Sequence, residues 1–559
     1  MSHPAIQRNR KVEDLEKQFA SWIPRGNHVP TTPSELIDLL QEHRHFEPQA
    51  NLNYGDHGIQ RIAQVVREAI KAGKKIALYA DYDVDGTMSC VSWIWFFRAI
   101  GFRHFVHYIP CRFKEGYGLN LKAVQHLVEN EKAELVITMD TGITANIEAQ
   151  YCKSQGVEFI CTDHHKIQPE KMPDCLILNP KLHPNPLYQE LCGCGVTFVL
   201  LRKLAEGFQV PPSLWIDLLA LTGMATICDV VPLNGVNHRL ARQGVRALAQ
   251  SQRPILKQLL IACKSTEKTD EKDIGFRLGP RINAVGRLEH ADVVVEAFIG
   301  ENPRDLIPFM ESCNERRRKI QGAIVEEARS QAQRHGDDPI LFLGGTWHQG
   351  VVGIAASKLV EEFWRPVWLF ERKENLCKGS ARSVPGFDVT AAMGAVGHFF
   401  AKFGGHAAAG GFAFDPREET SLRAGLTEFA QRMRQRLPEL WQSKITYDCL
   451  LIPELIDFEI LDVLGEMKPF GHGFEEPKFL VEGVLTSVQI LKDRLTGVPK
   501  HSSLLFQGSD HVTHKVMFFN RVIPMERGDR VKMIVSLGQN MWQGQTQLVL
   551  YGQDIDVGH

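Results

Sequence analysis

From about residue 58 onward, short apolar runs alternate with amphipathic stretches. "KIALYA" (75–80), "HFVHYIP" (104–110), "LVITM" (135–139) and "VEFICT" (157–162) have the length and the β-branched or aromatic content of strands. Between them, "TMSCVSWIWFFRAIG" (87–101) reads as a largely buried helix, and "LKAVQHLVENE" and "ITANIEAQYCKSQG" read as amphipathic ones. Alternation of this kind predicts a parallel sheet with helices on both faces. The chain then reads as mainly helical to about residue 250.

A charged helix is expected over 312–336, where Ile320, Ile324 and Ala328 recur at helical spacing. It would connect two α/β lobes. The second lobe runs from "ILFLGG" (340–345) to about 440, with glycine-rich turns at 404–411. Beyond about 450, "FLVEGVLTSVQIL", "SSLLFQ", "KVMFFN", "RVKMIVSLG" and "QLVLYGQDIDV" are short β runs separated by turns. They predict a small β barrel, with the OB-fold the natural candidate. The expected organisation is an N-terminal segment (1–50), a first α/β domain (51–250), a loop and connecting helix (251–335), a second α/β domain (336–445) and the barrel (446–559).

Composition adds bounds. The chain has 559 residues, 44% hydrophobic and 23% charged, so it can bury several cores. Its net charge of −2 lacks a basic excess, and any affinity for nucleic acid must come from a local positive groove. Twelve cysteines include no C-x-x-C pair, and Cys192 and Cys194 lack the partner pair of a zinc site. Scattered cysteines fit a reducing compartment. The first residues lack the apolar core of a signal peptide, and no stretch reaches the roughly 20 apolar residues of a membrane span. The expectation is a cytoplasmic protein with no membrane partner.

The candidate chemistry sits where the strands end. The first strand leads into "DYDVDGT", with Asp81, Asp83 and Asp85. The third leads into "DTG", with Asp140, and the fourth into "DHH", with Asp163, His164 and His165. Open α/β sheets bind ligands at the carboxyl ends of their strands. In "GMATICDVVPL", Asp229 interrupts an apolar stretch, where a charge needs a partner or a metal. Singly, each motif is as well read as a polar turn or a helix cap. The first lacks the glutamate of a calcium loop, and "DTG" lies in an α/β lobe rather than in a β-rich protease. Together they suggest a cation site, because close carboxylates repel unless neutralised. Oxygen ligands with imidazole and no thiolate suit Mn2+ or Mg2+, and two such ions can activate water and stabilise a leaving oxygen.

These four motifs, in this order, resemble those of the DHH phosphoesterase superfamily. "GFRLGPRINAVGRL" (275–288) resembles its RecJ branch, "FGGHAAAGGF" (403–412) resembles the DHHA1 domain, and the trailing β region resembles the OB-fold of that branch. The resemblance covers nearly the whole chain. It implies two α/β lobes, a DHH parallel-sheet domain and a DHHA1 domain, joined by a long helix and followed by a C-terminal OB-like barrel. It implies a single-strand-specific DNA exonuclease, running 5′ to 3′ and releasing 5′-mononucleotides in recombination and repair with two Mn2+ or Mg2+ ions. Asp83, Asp85, Asp140, His164 and Asp229 would be metal ligands. His165 would be a further ligand or would touch the scissile phosphate, Asp81 would support the site, and Asp163 would orient a neighbouring imidazole.

Arg281 and Asn283 would lie near the bound phosphate. Ser380 and Arg382 of "KGSARS", with Gly404, Gly405 and His406, would hold the 5′ end or the next phosphates. The alternatives are a solvated loop for "KGSARS" and a tight helix entry for "GGHAAAGG". The run "ERRRK" (315–319) is read as a solvated helix face. Phe506, Phe518, Phe519, Trp542 and Tyr551 are aromatic candidates in the barrel, none assigned individually. The implied partners are single-stranded DNA, a single-strand-binding protein and a recombination helicase, and the implied state is a monomer. The rivals are a DHH phosphodiesterase acting on short oligonucleotides or cyclic dinucleotides, and a non-catalytic DHH replication scaffold. The scaffold is disfavoured because every expected acid and histidine is present. A dinucleotide-binding enzyme is disfavoured because no G-x-G-x-x-G follows the first strand.

Overall fold

Five short strands pair in parallel in the first α/β region: β1 (Ile76–Ala80), β2 (Phe105–Tyr108), β3 (Leu135–Met139), β4 (Glu158–Thr162) and β5 (Leu176–Leu178). Their spatial order is β2-β1-β3-β4-β5. This computed structural model describes residues 21–44, 53–116, 118–265, 269–300, 304, 306–493, 496–509, 511–542 and 545–557. Every residue of β1 and β3 is buried, as expected of a parallel sheet covered on both faces. From β1 the chain steps outward to β2, then returns to the other side of β1 with β3. The order therefore reverses between β1 and β3, and a crevice opens at their carboxyl ends.

Helix α1 (Val84–Ala99) follows β1 and is buried along nearly its whole length, with Trp93, Trp95, Phe96 and Phe97 in the core. Its expected start at 87 moves back to Val84, because Asp83 caps it. Helices α2 (Gly193–Leu204) and α3 (Pro212–Cys228) complete this core. The strand β5 has three residues and gave no signal of its own in the sequence.

The chain divides into two compact units. One comprises residues 46–320 and 468–475. The other comprises 1–45, 321–467 and 476–559. The boundary falls inside the long helix α4 (Leu306–Ala332), the charged connector expected from the sequence.

Two larger sheets of different kinds lie in the second unit. Strands β6 (Leu341–Gly345), β7 (Val367–Glu371), β8 (Cys377–Arg382), β9 (Lys402–His406) and β10 (Ala409–Phe414) lie in the order β9-β10-β8-β7-β6. Only β6 and β7 pair in parallel. The "GGHAAAGG" segment is a hairpin with its turn at Ala407–Ala408, and not a helix entry.

Strands β11 (Phe479–Lys492), β12 (Pro499–Gln507), β13 (Thr513–Phe518), β14 (Arg530–Trp542) and β15 (Gln545–Val557) form a closed five-stranded barrel, with β14 pairing back onto β11. Phe506 and Phe518 fill its interior. Phe519 is exposed, with its ring 6.0 Å from that of the half-buried Tyr551. The Trp542 side chain lies outside the described residues. Part of the N-terminal segment belongs to this unit. Ser21–Pro24 pairs in parallel with Lys444–Tyr447, and Arg44 grips the buried Asp448 with two bonds of 2.6 and 2.9 Å. Among the described residues, no helix is long and apolar enough to cross a membrane.

Candidate metal centre

Three loops deliver acids and imidazoles to the crevice, and each is fixed by its own backbone. After β1, Asp81 is buried and its N–H donates to the Met139 carbonyl at 3.3 Å. Asp83 caps α1, its Oδ1 accepting from the N–H groups of Asp85 (2.9 Å) and Gly86 (3.2 Å). A Cβ on Gly86 would stand 2.3 Å from the Asp81 carbonyl oxygen, so only glycine lets the helix begin this close to the strand end.

Asp85 turns into the core and meets the start of α2. Its Oδ2 accepts from Gly193 N–H at 2.5 Å and its Oδ1 from Cys194 N–H at 2.7 Å. A carboxylate at a helix N-terminus satisfies orphan donors and favours the macrodipole. The sequence reading passed over this role. As a sequence "CGCG" spells only an incomplete zinc motif, whereas in the fold Cys192 caps α2 and the next two N–H groups anchor an acid.

Asp140 follows β3 with φ of 58°, in the left-handed region that aspartate tolerates better than most residues and that recurs at functional sites. Asp163 follows β4. Its Oδ2 accepts from Ile143 N–H (2.8 Å), and its Oδ1 accepts from the N–H groups of His164 (2.7 Å) and His165 (3.1 Å). The same Oδ1 lies 2.7 Å from Nδ1 of His165. Asp229 arrives at the C-terminus of α3.

The side chains converge. Nε2 of His164 lies 3.1 Å from Asp140 Oδ1, 3.5 Å from Asp229 Oδ2 and 3.7 Å from Asp85 Oδ2. Asp81, Asp83 and Asp140 also bring one oxygen each within 4.8 Å of one another. Asp81 Oδ1, Asp140 Oδ1 and His164 Nε2 are buried and have no hydrogen-bond partner. Buried polar atoms are rarely left so.

Electrostatics tell the same story. Burial, then the neighbouring acids, raise Asp81, Asp140 and Asp229 well above the usual carboxylate range. Burial and Asp83 push Asp85 up to about 7, against the N–H groups of α2. Burial and the charge of His165 drive His164 down to about 3, leaving a neutral imidazole. Burial lowers His165 too, but the hydrogen bond and charge of Asp163 outweigh it and raise it to about 8. The nearby thiols are no rivals as ligands: burial pushes Cys194 up to about 12 and Cys192 well above its ordinary value. Clustered oxygens, a neutral imidazole and unpartnered atoms fit hard divalent cations.

Other candidates fall elsewhere. Asn283 Oδ1 accepts from Val84 N–H at 3.2 Å, beside the first acidic turn. Arg281 is engaged differently from the expectation: its guanidinium forks onto Glu311 at 2.5 and 3.1 Å and donates to the Arg277 carbonyl. Arg112 lies 5.0 Å from the Tyr82 ring centroid and draws Asp81 downward, a cation that sequence reading did not single out.

In the second unit, Ser380 and Arg382 lie on β8 and Gly404, Gly405 and His406 on β9, with β10 between. The register aligns Ser380, Gly411 and Gly404 in one row and Arg382, Ala409 and His406 in another. A Cβ on Gly353 would stand 2.9 Å from Arg382 Nη2 and 3.2 Å from Ser380 Oγ. The helix Gln349–Phe363, capped by His348, therefore packs its glycine onto this pair. "HQGVVG" was the unread signal.

Comparison with known proteins matches residues 75–224 to the DHH family N-terminal domain, 337–432 to the DHHA1 domain and 447–554 to the RecJ OB domain. The single-stranded-DNA-specific exonuclease RecJ of Escherichia coli is 31% identical over 468 residues, covering 79% of each chain. The chain belongs to the RecJ family. The RecJ exonuclease of Bacillus subtilis is also 31% identical, over 89% of this chain, which spans 63% of that longer protein. The crystal structure of Thermus thermophilus RecJ in complex with Mn2+ superposes with a TM-score of 0.83 at 25% identity, over 97% of this chain and 80% of that one. The RecJ fold thus extends over both units and the barrel.

Proposed function

We propose that this chain is a single-strand-specific DNA exonuclease that hydrolyses phosphodiesters with divalent metal ions and releases 5′-mononucleotides in recombination and repair. The observation that carries the reading is the cluster of Asp81, Asp140 and His164 atoms, buried and unpartnered at the β1/β3 crevice. The names of the relatives support the substrate class, single-stranded DNA; the 5′-to-3′ direction is part of the proposal.

Asp83, Asp85, Asp140, His164 and Asp229 would hold two ions, Mn2+ or Mg2+. Such ions supply Lewis acidity toward a phosphodiester and lower the pKa of water. The chain's own residues do the rest. Asp85 is fixed by the N-terminus of α2, so its carboxylate keeps its place whatever binds opposite. Asp163 fixes the His165 ring and keeps it protonated near neutral pH, so that it can donate to a phosphate oxygen. Asn283 steadies the first acidic turn. Ser380, Arg382, Gly404, Gly405 and His406 offer hydroxyl, guanidinium, imidazole and backbone donors that suit a terminal phosphate. We assign the chain to the cytoplasm as a monomer, with a single-strand-binding protein and a recombination helicase as partners.

The test uses one oligonucleotide labelled at either end, with Mn2+, Mg2+ or EDTA, beside the same sequence as duplex. Immediate release of a mononucleotide from the 5′ end of the single strand alone, abolished by EDTA, is the expected result. Turnover of dinucleotides or cyclic dinucleotides without cleavage of long strands would overturn it.

A further inference from the structure

Phe276 is 77% exposed, the most of any large hydrophobic side chain among the described residues. A single exposed apolar side chain is ordinary by itself; what marks this one is its mount. It does not sit on a loose loop. Ile274–Leu278 form a π-helical turn whose first and last side chains are buried. π-turns of this kind recur at functional sites, because the extra residue re-aims a side chain.

The turn is clamped to the metal centre on two sides. A Cβ on Gly279 would stand 2.4 Å from Sγ of Cys228, and one on Gly275 would stand 3.7 Å from Ile227. The turn therefore lies against the two residues that precede Asp229. The helix that continues it, Gly279–Leu288, carries Asn283 to the Val84 N–H, and its Gly286 packs against the Tyr82 carbonyl, where a Cβ would come within 2.8 Å. Val230, directly after Asp229, is also 61% exposed. The next residue along the chain, Arg277, is half exposed and pairs with Asp273 at 2.8 Å. An outward ring on a rigid mount, with a cationic residue next along the chain, has the elements with which proteins stack single-stranded bases.

We propose that Phe276 is a nucleobase-stacking residue at the rim of the metal centre, seating the strand so that its phosphate meets the acids. This rests on the single-strand reading above and goes beyond it by naming where a base is held. Stacking is indifferent to base identity, which suits an enzyme that must accept every nucleotide in turn.

The experiment compares the parent with Phe276→Ala and Phe276→Trp in Mn2+, on single-stranded oligonucleotides and on bis(p-nitrophenyl) phosphate, which has no base. Phe276→Ala is expected to lose about ten- to a hundredfold in kcat/KM on oligonucleotides, with the small ester and the melting temperature unchanged. Phe276→Trp is expected to keep activity and to show indole quenching on adding single strands. Unchanged oligonucleotide kinetics, or equal loss on both substrates, would overturn the stacking role. A parent that cleaves the ester but no single strand would instead overturn the exonuclease reading.

Discussion

Gly193→Ala adds one methyl group at the point where two loops of the metal centre meet. The new Cβ would stand 2.7 Å from the Asp140 Cβ, 3.0 Å from its Cα and 3.1 Å from its Cγ. Carbon atoms rest at about 3.5–4.0 Å, so something must move by about 1 Å. Neither side yields cheaply. Asp140 is buried with its backbone already in the left-handed region, and Gly193 N–H is bonded to Asp85. Overpacking of this kind costs about 1–3 kcal/mol, or about 2–6 °C in melting temperature. The functional loss should be larger, since a shift of about 1 Å among catalytic groups costs about a hundredfold.

Gly322→Ala is the control. It lies inside α4 with nothing within 4 Å of its added Cβ, so the same substitution should stabilise by about 0.5–1 kcal/mol. Thermal unfolding, calorimetric Mn2+ titration and release from 5′-labelled single strands read all three quantities. A Gly193→Ala protein with parental stability, Mn2+ affinity and activity would refute the packing argument.

Asp140→Asn keeps a residue that accepts the left-handed backbone but removes an oxygen charge; Mn2+ binding and nuclease activity should fall by at least about a hundredfold, with the metal-free protein no less stable. A folded variant with normal activity would remove Asp140 from the site. The raised acids make Mn2+ affinity pH-dependent: below about 7 Asp85 is protonated, so titration calorimetry should give tighter binding at pH 8 than at pH 6. The same group binds a proton more tightly when folded than unfolded. Its contribution to metal-free stability is therefore present at about pH 4 and is lost as pH rises through about 7. Asp163→Asn removes the negative charge that helps hold His165 at about 8; its NMR titration should move to lower pH, and activity should fall about ten- to a hundredfold. Arg44→Ala removes both short bonds to the buried Asp448 and leaves it the longer contacts of Arg25 (3.6 Å) and His43 (3.5 Å), which should cost about 1–3 kcal/mol without changing Mn2+ affinity, because that pair belongs to the other unit.

What the chain disclosed in advance follows physical rules. The parallel strands were readable because a sheet covered on both faces needs uninterrupted apolar runs, and the acids stood out because they end those runs. The barrel strands were readable from their alternation. β5 was not, since three residues carry no period. Ser21–Pro24 was not, because its partner Lys444–Tyr447 lies far along the chain. Arg281 looked like a phosphate ligand in its motif, but its partner Glu311 sits on another helix, and nothing local announces that pair. The grip of Gly193 and Cys194 on Asp85 was hidden for another reason. It is made by backbone N–H groups, which no side-chain motif spells out.

That backbone grip also explains how so many acids can share one crevice before any ion arrives. Six neighbouring carboxylates, those of Asp81, Asp83, Asp85, Asp140, Asp163 and Asp229, would splay if each were held only by its own loop. Asp83 is fixed by the N–H groups of α1, Asp85 by those of α2, and Asp163 by three backbone N–H groups. Helix starts present donors at no cost in lysines or arginines, whose cations would compete with a metal for the same oxygens. Asp81 and Asp140 differ: each keeps one buried oxygen with no hydrogen-bond partner. The backbone thus holds part of the acid set in place, while Asp140 and His164 keep buried atoms with no hydrogen-bond partner to offer a metal. An added arginine near Asp140 would stabilise the metal-free protein and weaken its hold on Mn2+ together, because both effects draw on the same unneutralised charge.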